Sequence, residues 1–310
     1  MSIIGWCDSY CIKYEGNFIN DKYEGDGKYY YENGDYYIGP WQNGLRNGKG
    51  MLYYKNGNIK YEGDFINDKY EGKGKYYFEN GEYYIGQEKN GKAYGKGIFY
   101  YNDGNIKYEG DFINDKYEGN GKYYYKNGEY YIGNWKNNLK HGKGLDYYKN
   151  GNIKYEGDYI NGEREGDGKF YLEDGQYYIG KWKNGLRNGK GIDYYKNGKI
   201  KYEGDFVNNY RNGNGKYYWI DGEYYLGQWK NGSRNGIGIL YYSNGKIKYE
   251  GDFINGKFEG KGKFYFENGD YYIGQWEKGL RNGKGTLYNK KGKIKYDGDF
   301  INDKIKKNKK

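Results

Sequence analysis

One phrase recurs along this chain, in twelve full units and a truncated thirteenth: an aromatic residue, any residue, Gly, any residue, an aromatic, then a Gly-x-Gly run and an Asn-Gly or Asp-Gly pair. The openings are Tyr14, Tyr37, Tyr61, Tyr84, Tyr108, Tyr131, Tyr155, Tyr178, Tyr202, Tyr225, Tyr249, Tyr272 and Tyr296, spaced alternately by 23 and 24 residues, so the full period is a pair of 47. Such a chain grows by stacking one small repeat on the next, each touching only its neighbours. The sequence therefore predicts one elongated array over residues 14–303, an N-terminal cap over 1–13 with Ile3, Ile4 and Trp6, and a basic tail over 304–310.

Within residues 61–83, Tyr61 to Ile66 alternates, setting Tyr61, Gly63 and Phe65 on one face and Glu62, Asp64 and Ile66 on the other. Asn67, Asp68 and Lys69 supply a turn, and Gly72 to Phe78 alternates again, making a hairpin. Asn80-Gly81 is expected to form a type I′ connection to the next hairpin. Gly63, Gly72 and Gly74 share the face of Tyr61 and Phe65, so rings are expected to lie on bare backbone. Aliphatic residues are scarce while Tyr (49) and Gly (57) abound, so the core must be aromatic. The fold class is all-β: an elongated, twisted antiparallel sheet of stacked hairpins, about 120 Å long at about 10 Å per repeat.

Tyr-Glu-Gly-Asp-Phe, Tyr-Tyr-Lys-Asn-Gly and the run Trp41 to Gly50, with Trp135, Trp182, Trp229 and Trp276 in the place of Trp41, resemble the MORN (membrane occupation and recognition nexus) repeat over residues 14–303. The odd-numbered repeats, with Phe or Tyr for Trp and an Ile-Lys-Tyr-Glu-Gly lead-in, resemble the variant MORN type. The fourth departs most, with Glu88 for Trp and Ala93 for Arg. The resemblance implies a scaffold, often self-associating and sometimes held at membranes or in cytoskeletal assemblies.

An enzyme is not expected, because nearly every carboxylate recurs at a fixed place in the repeat, whereas catalysis needs a singular constellation. The sole histidine, His141, stands where Asn47 and Asn188 stand and reads as a loop substitution. Cys7 and Cys11 have no second pair or His cluster to complete a metal site. No cofactor is predicted, and no Gly-x-Gly pair precedes a helix that could cradle phosphate. The start shows no secretory signal and no run is long enough to span a membrane, which points to the cytoplasm. Forty-two acidic residues interleaved with the Lys and Tyr leave no track for nucleic acid.

Two surfaces remain as candidates. Ile38, Ile132, Ile179, Leu226 and Ile273 alternate onto the face opposite the Gly and Trp residues, beside Tyr36 and Tyr130, and predict a contact with a protein partner or a homodimer. Arg46, Lys140, Arg187, Arg234 and Arg281 recur at multiples of 47 and, with Lys304, Lys306, Lys307, Lys309 and Lys310, predict a basic edge and tail for an anionic membrane surface. The five tail lysines carry half of the net charge of +10.

Overall fold

The computed structural model describes residues 2–6 and 12–306, with side chains from Lys13 onward; Cys7, Cys11, Lys307, Lys309 and Lys310 lie outside the described residues. Among the described residues every regular element is a strand. The chain divides into two compact units, residues 1–153 with 159–162 and residues 154–158 with 163–310.

In the first unit the strands Ile59–Ile66, Lys69–Tyr77, Tyr83–Lys89 and Lys92–Tyr100 each pair antiparallel with the next. Short connections leave no other option. The strand Ser2–Trp6 pairs antiparallel with Ile12–Ile19. In the second unit Glu163–Tyr171, Tyr177–Lys183, Leu186–Tyr194 and Ile200–Val207 repeat the pattern, which continues through Leu280–Tyr288 and Ile294–Ile301.

The turns differ from the sequence expectation in one respect. The type I′ geometry belongs to Asn67-Asp68, with φ of 48° and 68°, and to Asn43-Gly44, with 51° and 84°. At Asn80-Gly81 only Gly81 is left-handed, at φ 84°, while its N–H donates to the Phe78 carbonyl at 3.0 Å and the Phe78 N–H donates to the Glu82 carbonyl at 2.9 Å. That is a type I turn closed by a glycine bulge, the alternative hairpin solution. Asn-Gly satisfies either geometry, because both need a left-handed second residue.

The core of each unit is a row of buried tyrosines lying on glycine. A Cβ at Gly63 would stand 2.5 Å from Tyr61 Oη and 2.8 Å from Gly74 Cα, and one at Gly74 would meet the same hydroxyl. The Tyr61 ring thus covers glycines on its own strand and the next, and its hydroxyl donates to the Asp64 carbonyl at 3.2 Å. Gly72 serves another purpose than expected: its φ is +67°, and a Cβ there would face Asp64, not a ring. The ladder shifts register between Gly63 and Asp64, and this bulge turns Gly72 out of the ring-covered row.

Candidate functional site

Outside the fourth repeat, each buried tyrosine that opens a repeat is held by two further groups. Four residues along the chain comes an aromatic that meets it edge-on: Phe65 against Tyr61 at 5.2 Å and 85°, Trp182 against Tyr178 at 5.5 Å and 85°. Nine residues along comes a group lying over its ring. Tyr70 stacks on Tyr61 at 3.8 Å, Phe258 on Tyr249 at 3.8 Å, and Arg164 places its guanidinium 4.5 Å from the Tyr155 centroid. Offset and edge-on rings, and cations over ring faces, each add to the stabilisation from burial alone.

The predicted basic edge occupies this inner position. Arg46 pairs across the Asn43-Gly44 turn with Trp41, which sets both on the ring-packed face. Its guanidinium lies 4.8 Å from the Phe65 ring and 5.6 Å from Tyr37, and donates to Asp68 Oδ1 at 3.1 Å and to the Asp68 carbonyl at 2.7 Å. Lys140 lies over Tyr131 at 4.5 Å and is ion-paired with Asp146. In the second unit Arg187 covers Phe206 at 4.9 Å and pairs with Asp193 at 3.0 Å. Arg234 covers Phe253 at 5.2 Å and donates to the Gly256 carbonyl at 2.6 Å; burial lowers its pKa. Arg281 covers Phe300 at 5.1 Å and pairs with Asp303 at 3.1 Å. These groups are components of the core wall. Lys304 and Lys306 are exposed.

The opposite face carries the predicted apolar row. Ile132 is 38% exposed and Leu226 45%; Ile38, Ile179 and Ile273 are exposed as well. Each faces a cross-strand neighbour: Ile38 opposite Met51, Ile132 opposite Leu145, Ile179 opposite Ile192, Leu226 opposite Ile239, and Ile273 opposite Thr286. Beside them run stacked tyrosine pairs, Tyr83 with Tyr100 and Tyr130 with Tyr147 at 4.4 Å. In the first unit a groove of about 810 Å³ crosses this face, floored by Gly74, Gly86, Gly97, Gly110, Gly121 and Gly133 and walled by Ile85, Ile98 and Ile132.

His141 lies inside the strand Leu139–Tyr147, not in a loop, with Nδ1 buried.

The fourth repeat breaks the pattern twice. Glu88 takes the place of the edge-on aromatic of Tyr84, and Ala93 the place of the covering group. A cavity of about 730 Å³ results, walled by Tyr70, Tyr84, Phe99, Phe112 and Tyr117, with Glu88 and Asp115 among its lining. Glu88 is only 7% exposed and makes no hydrogen bond or ion pair among the described residues. Asp115 keeps the role of Asp68 towards the backbone, accepting from the Ala93 N–H at 2.8 Å. The two lysines in the same lining, Lys60 and Lys107, are already engaged, with Asp35 at 2.8 Å and with Glu82 at 2.7 Å. Both substitutions are visible in the sequence. That they adjoin becomes legible only when residues four and nine past the opening tyrosine are known to meet over its ring.

The repeat models of one known family match this architecture. The MORN repeat model matches residues 14–36, 37–59, 61–83, 108–130, 131–153, 155–177, 178–200, 202–224, 225–247, 249–271 and 272–293, and the MORN repeat variant matches 93–114. The odd-numbered repeats thus fit the ordinary model, contrary to the sequence expectation, and the variant falls only where the fourth repeat passes into the fifth. No curated protein matches the chain. Similar solved structures include a mutant TCP10 domain of Danio rerio CPAP, at 12% identity and a TM-score of 0.20 over 82% of this chain and 96% of that one. A protein of unknown function from Bacteroides caccae matches at 12% identity and a TM-score of 0.16, over 83% and 91%. With repeat matches across nearly its whole length, the chain belongs to the MORN repeat family.

Proposed function

We propose that this chain is a non-enzymatic scaffold that binds a protein partner, or a second copy of itself, along the face opposite its ring-packed core. MORN repeats are protein- or membrane-interaction modules, and the observation that favours protein is the division of labour between the two faces. The recurrent Arg and Lys positions are engaged with rings and with carboxylates or backbone carbonyls, while the exposed face offers cross-strand aliphatic pairs beside stacked tyrosines. Aliphatic pairs beside stacked tyrosines supply apolar area for a partner, and Lys73, Lys96 and Glu109 in the lining of the backbone-floored groove supply the polar contacts that a protein interface also needs.

The test combines light scattering over a concentration series with sedimentation on phosphatidylserine vesicles, for the intact chain, a chain ending at residue 303, and the double variant Ile132→Asp, Ile179→Asp. The scaffold reading expects the double variant to lose self-association or partner capture and tail removal to matter little. Salt-sensitive vesicle binding that disappears with residues 304–310, in a monomeric chain indifferent to the Ile substitutions, assigns the function to an anionic membrane instead.

A further inference from the structure

We propose that the fourth repeat is a receptor for an arginine side chain presented by a protein partner, held in the cavity between Tyr84, Phe112, Glu88 and Asp115. This rests on the scaffold reading and gives it a specific point of recognition.

The chain supplies its own template for the ligand. In the equivalent tyrosine–phenylalanine niches of other repeats a cation of the chain itself fills the corresponding space: Arg46 between Tyr37 and Phe65, Arg187 between Tyr178 and Phe206, Arg234 between Tyr225 and Phe253, Arg281 between Tyr272 and Phe300. The fourth repeat keeps the two walls, Tyr84 and Phe112, with centroids 5.0 Å apart and planes at 70°. It also keeps the acid, since Asp115 stands where Asp68 binds the Arg46 guanidinium. The cation itself is replaced by the methyl of Ala93. The second substitution strengthens the same preference: where the other repeats close the niche with Trp, Phe or Tyr, Glu88 brings to the cavity a buried carboxylate with no partner among the described residues. Two carboxylates and several ring faces around one space favour a planar cation that can stack and donate several hydrogen bonds at once. Guanidinium meets both demands, whereas ammonium is a compact, more strongly hydrated charge. Lysine occurs in one of the chain's own niches, at Lys140, so it is the expected weaker competitor.

The experiment uses the full chain and the tripeptide acetyl-Gly-Arg-Gly-amide, with its lysine and citrulline counterparts, titrated by saturation-transfer NMR at about pH 8, where Glu88 is ionised, and at low salt. Citrulline keeps the shape and removes the charge. The expected order is arginine above lysine, with citrulline at least about tenfold weaker, equivalent to about 1.4 kcal/mol. Glu88→Gln should weaken the arginine peptide by about the same factor. Ala93→Arg should abolish binding, because the chain's own guanidinium then occupies the niche. Equal binding of citrulline, or undiminished binding by Ala93→Arg, overturns the proposal. So does binding of phosphatidylcholine vesicles in place of peptide, which would assign the cavity to a lipid headgroup. Glu88→Gln changes no volume, so it keeps the test decisive should Ala93→Arg fold poorly. Failure here leaves the effect of Ile132→Asp and Ile179→Asp untouched, so the two readings fail separately.

Discussion

At the scale of single residues, the most consequential is Glu88. Burial, followed by the like charge of Asp115, pushes its carboxyl up to about 7. The other groups facing it do not offset this: Lys60 and Lys107 are paired with Asp35 and Glu82, and the phenols of Tyr61, Tyr70, Tyr84 and Tyr117 are themselves driven upward by burial. A carboxyl raised in the folded state holds a proton that the unfolded chain has released, so stability falls as pH rises from the ordinary glutamate range towards 7 and is level above it. The loss should be about 3 kcal/mol at most. Urea denaturation at about pH 5 and about pH 8 should therefore show the wild type losing stability relative to Glu88→Gln, which carries no such carboxyl. Parallel pH profiles for the two proteins would show that Glu88 is not held neutral. Peptide arginine should reverse the trend by stabilising the ionised form.

At the scale of strands and turns, the ring-on-glycine row is legible in the sequence because Tyr61, Gly63 and Gly74 follow simple alternation, repeated often enough to exclude coincidence. The direction of the basic positions is not. Arg46 reads as an edge residue so long as the turn before it has no defined geometry; with Asn43-Gly44 as a two-residue type I′ turn, Arg46 must face Trp41 and so the core. Gly72 departs from its expected face for a related reason, since a bulge interrupts the parity on which face assignments depend. The glycines accordingly fall into two classes that substitution can separate. Gly57 has a φ of +85°, and a Cβ added there would meet nothing within 4 Å, so its requirement is conformational alone. Gly57→Ala should cost about 1 kcal/mol and Gly57→Asn clearly less, because Asn adopts the left-handed region more readily. Equal costs measured by thermal melting would mean that the turn does not impose the conformation.

At the scale of the whole molecule, repetition decides how damage spreads. Gly63 belongs to the other class: no left-handed φ constrains it, yet any Cβ there collides with the Tyr61 hydroxyl and the Gly74 backbone. Gly63→Val should thus cost upwards of about 3 kcal/mol by overpacking, despite the better strand propensity of Val. In a globular core such a loss is shared by the whole domain. Here the Tyr61 ring touches Phe65 and Tyr70, and the pairing of its strand runs to Gly48–Tyr53 on one side and Lys69–Tyr77 on the other. With energies that are sums of repeat and nearest-neighbour terms, the cheapest response is to open these strands and leave distant ones closed. Hydrogen exchange on Gly63→Val should accordingly show protection lost around Ile59–Ile66 and its two partner strands, and kept in Tyr224–Lys230 and Tyr271–Glu277 of the second unit. Uniform loss of protection across all of these strands would show that the array unfolds as one cooperative body, and that its repeats are not energetically local.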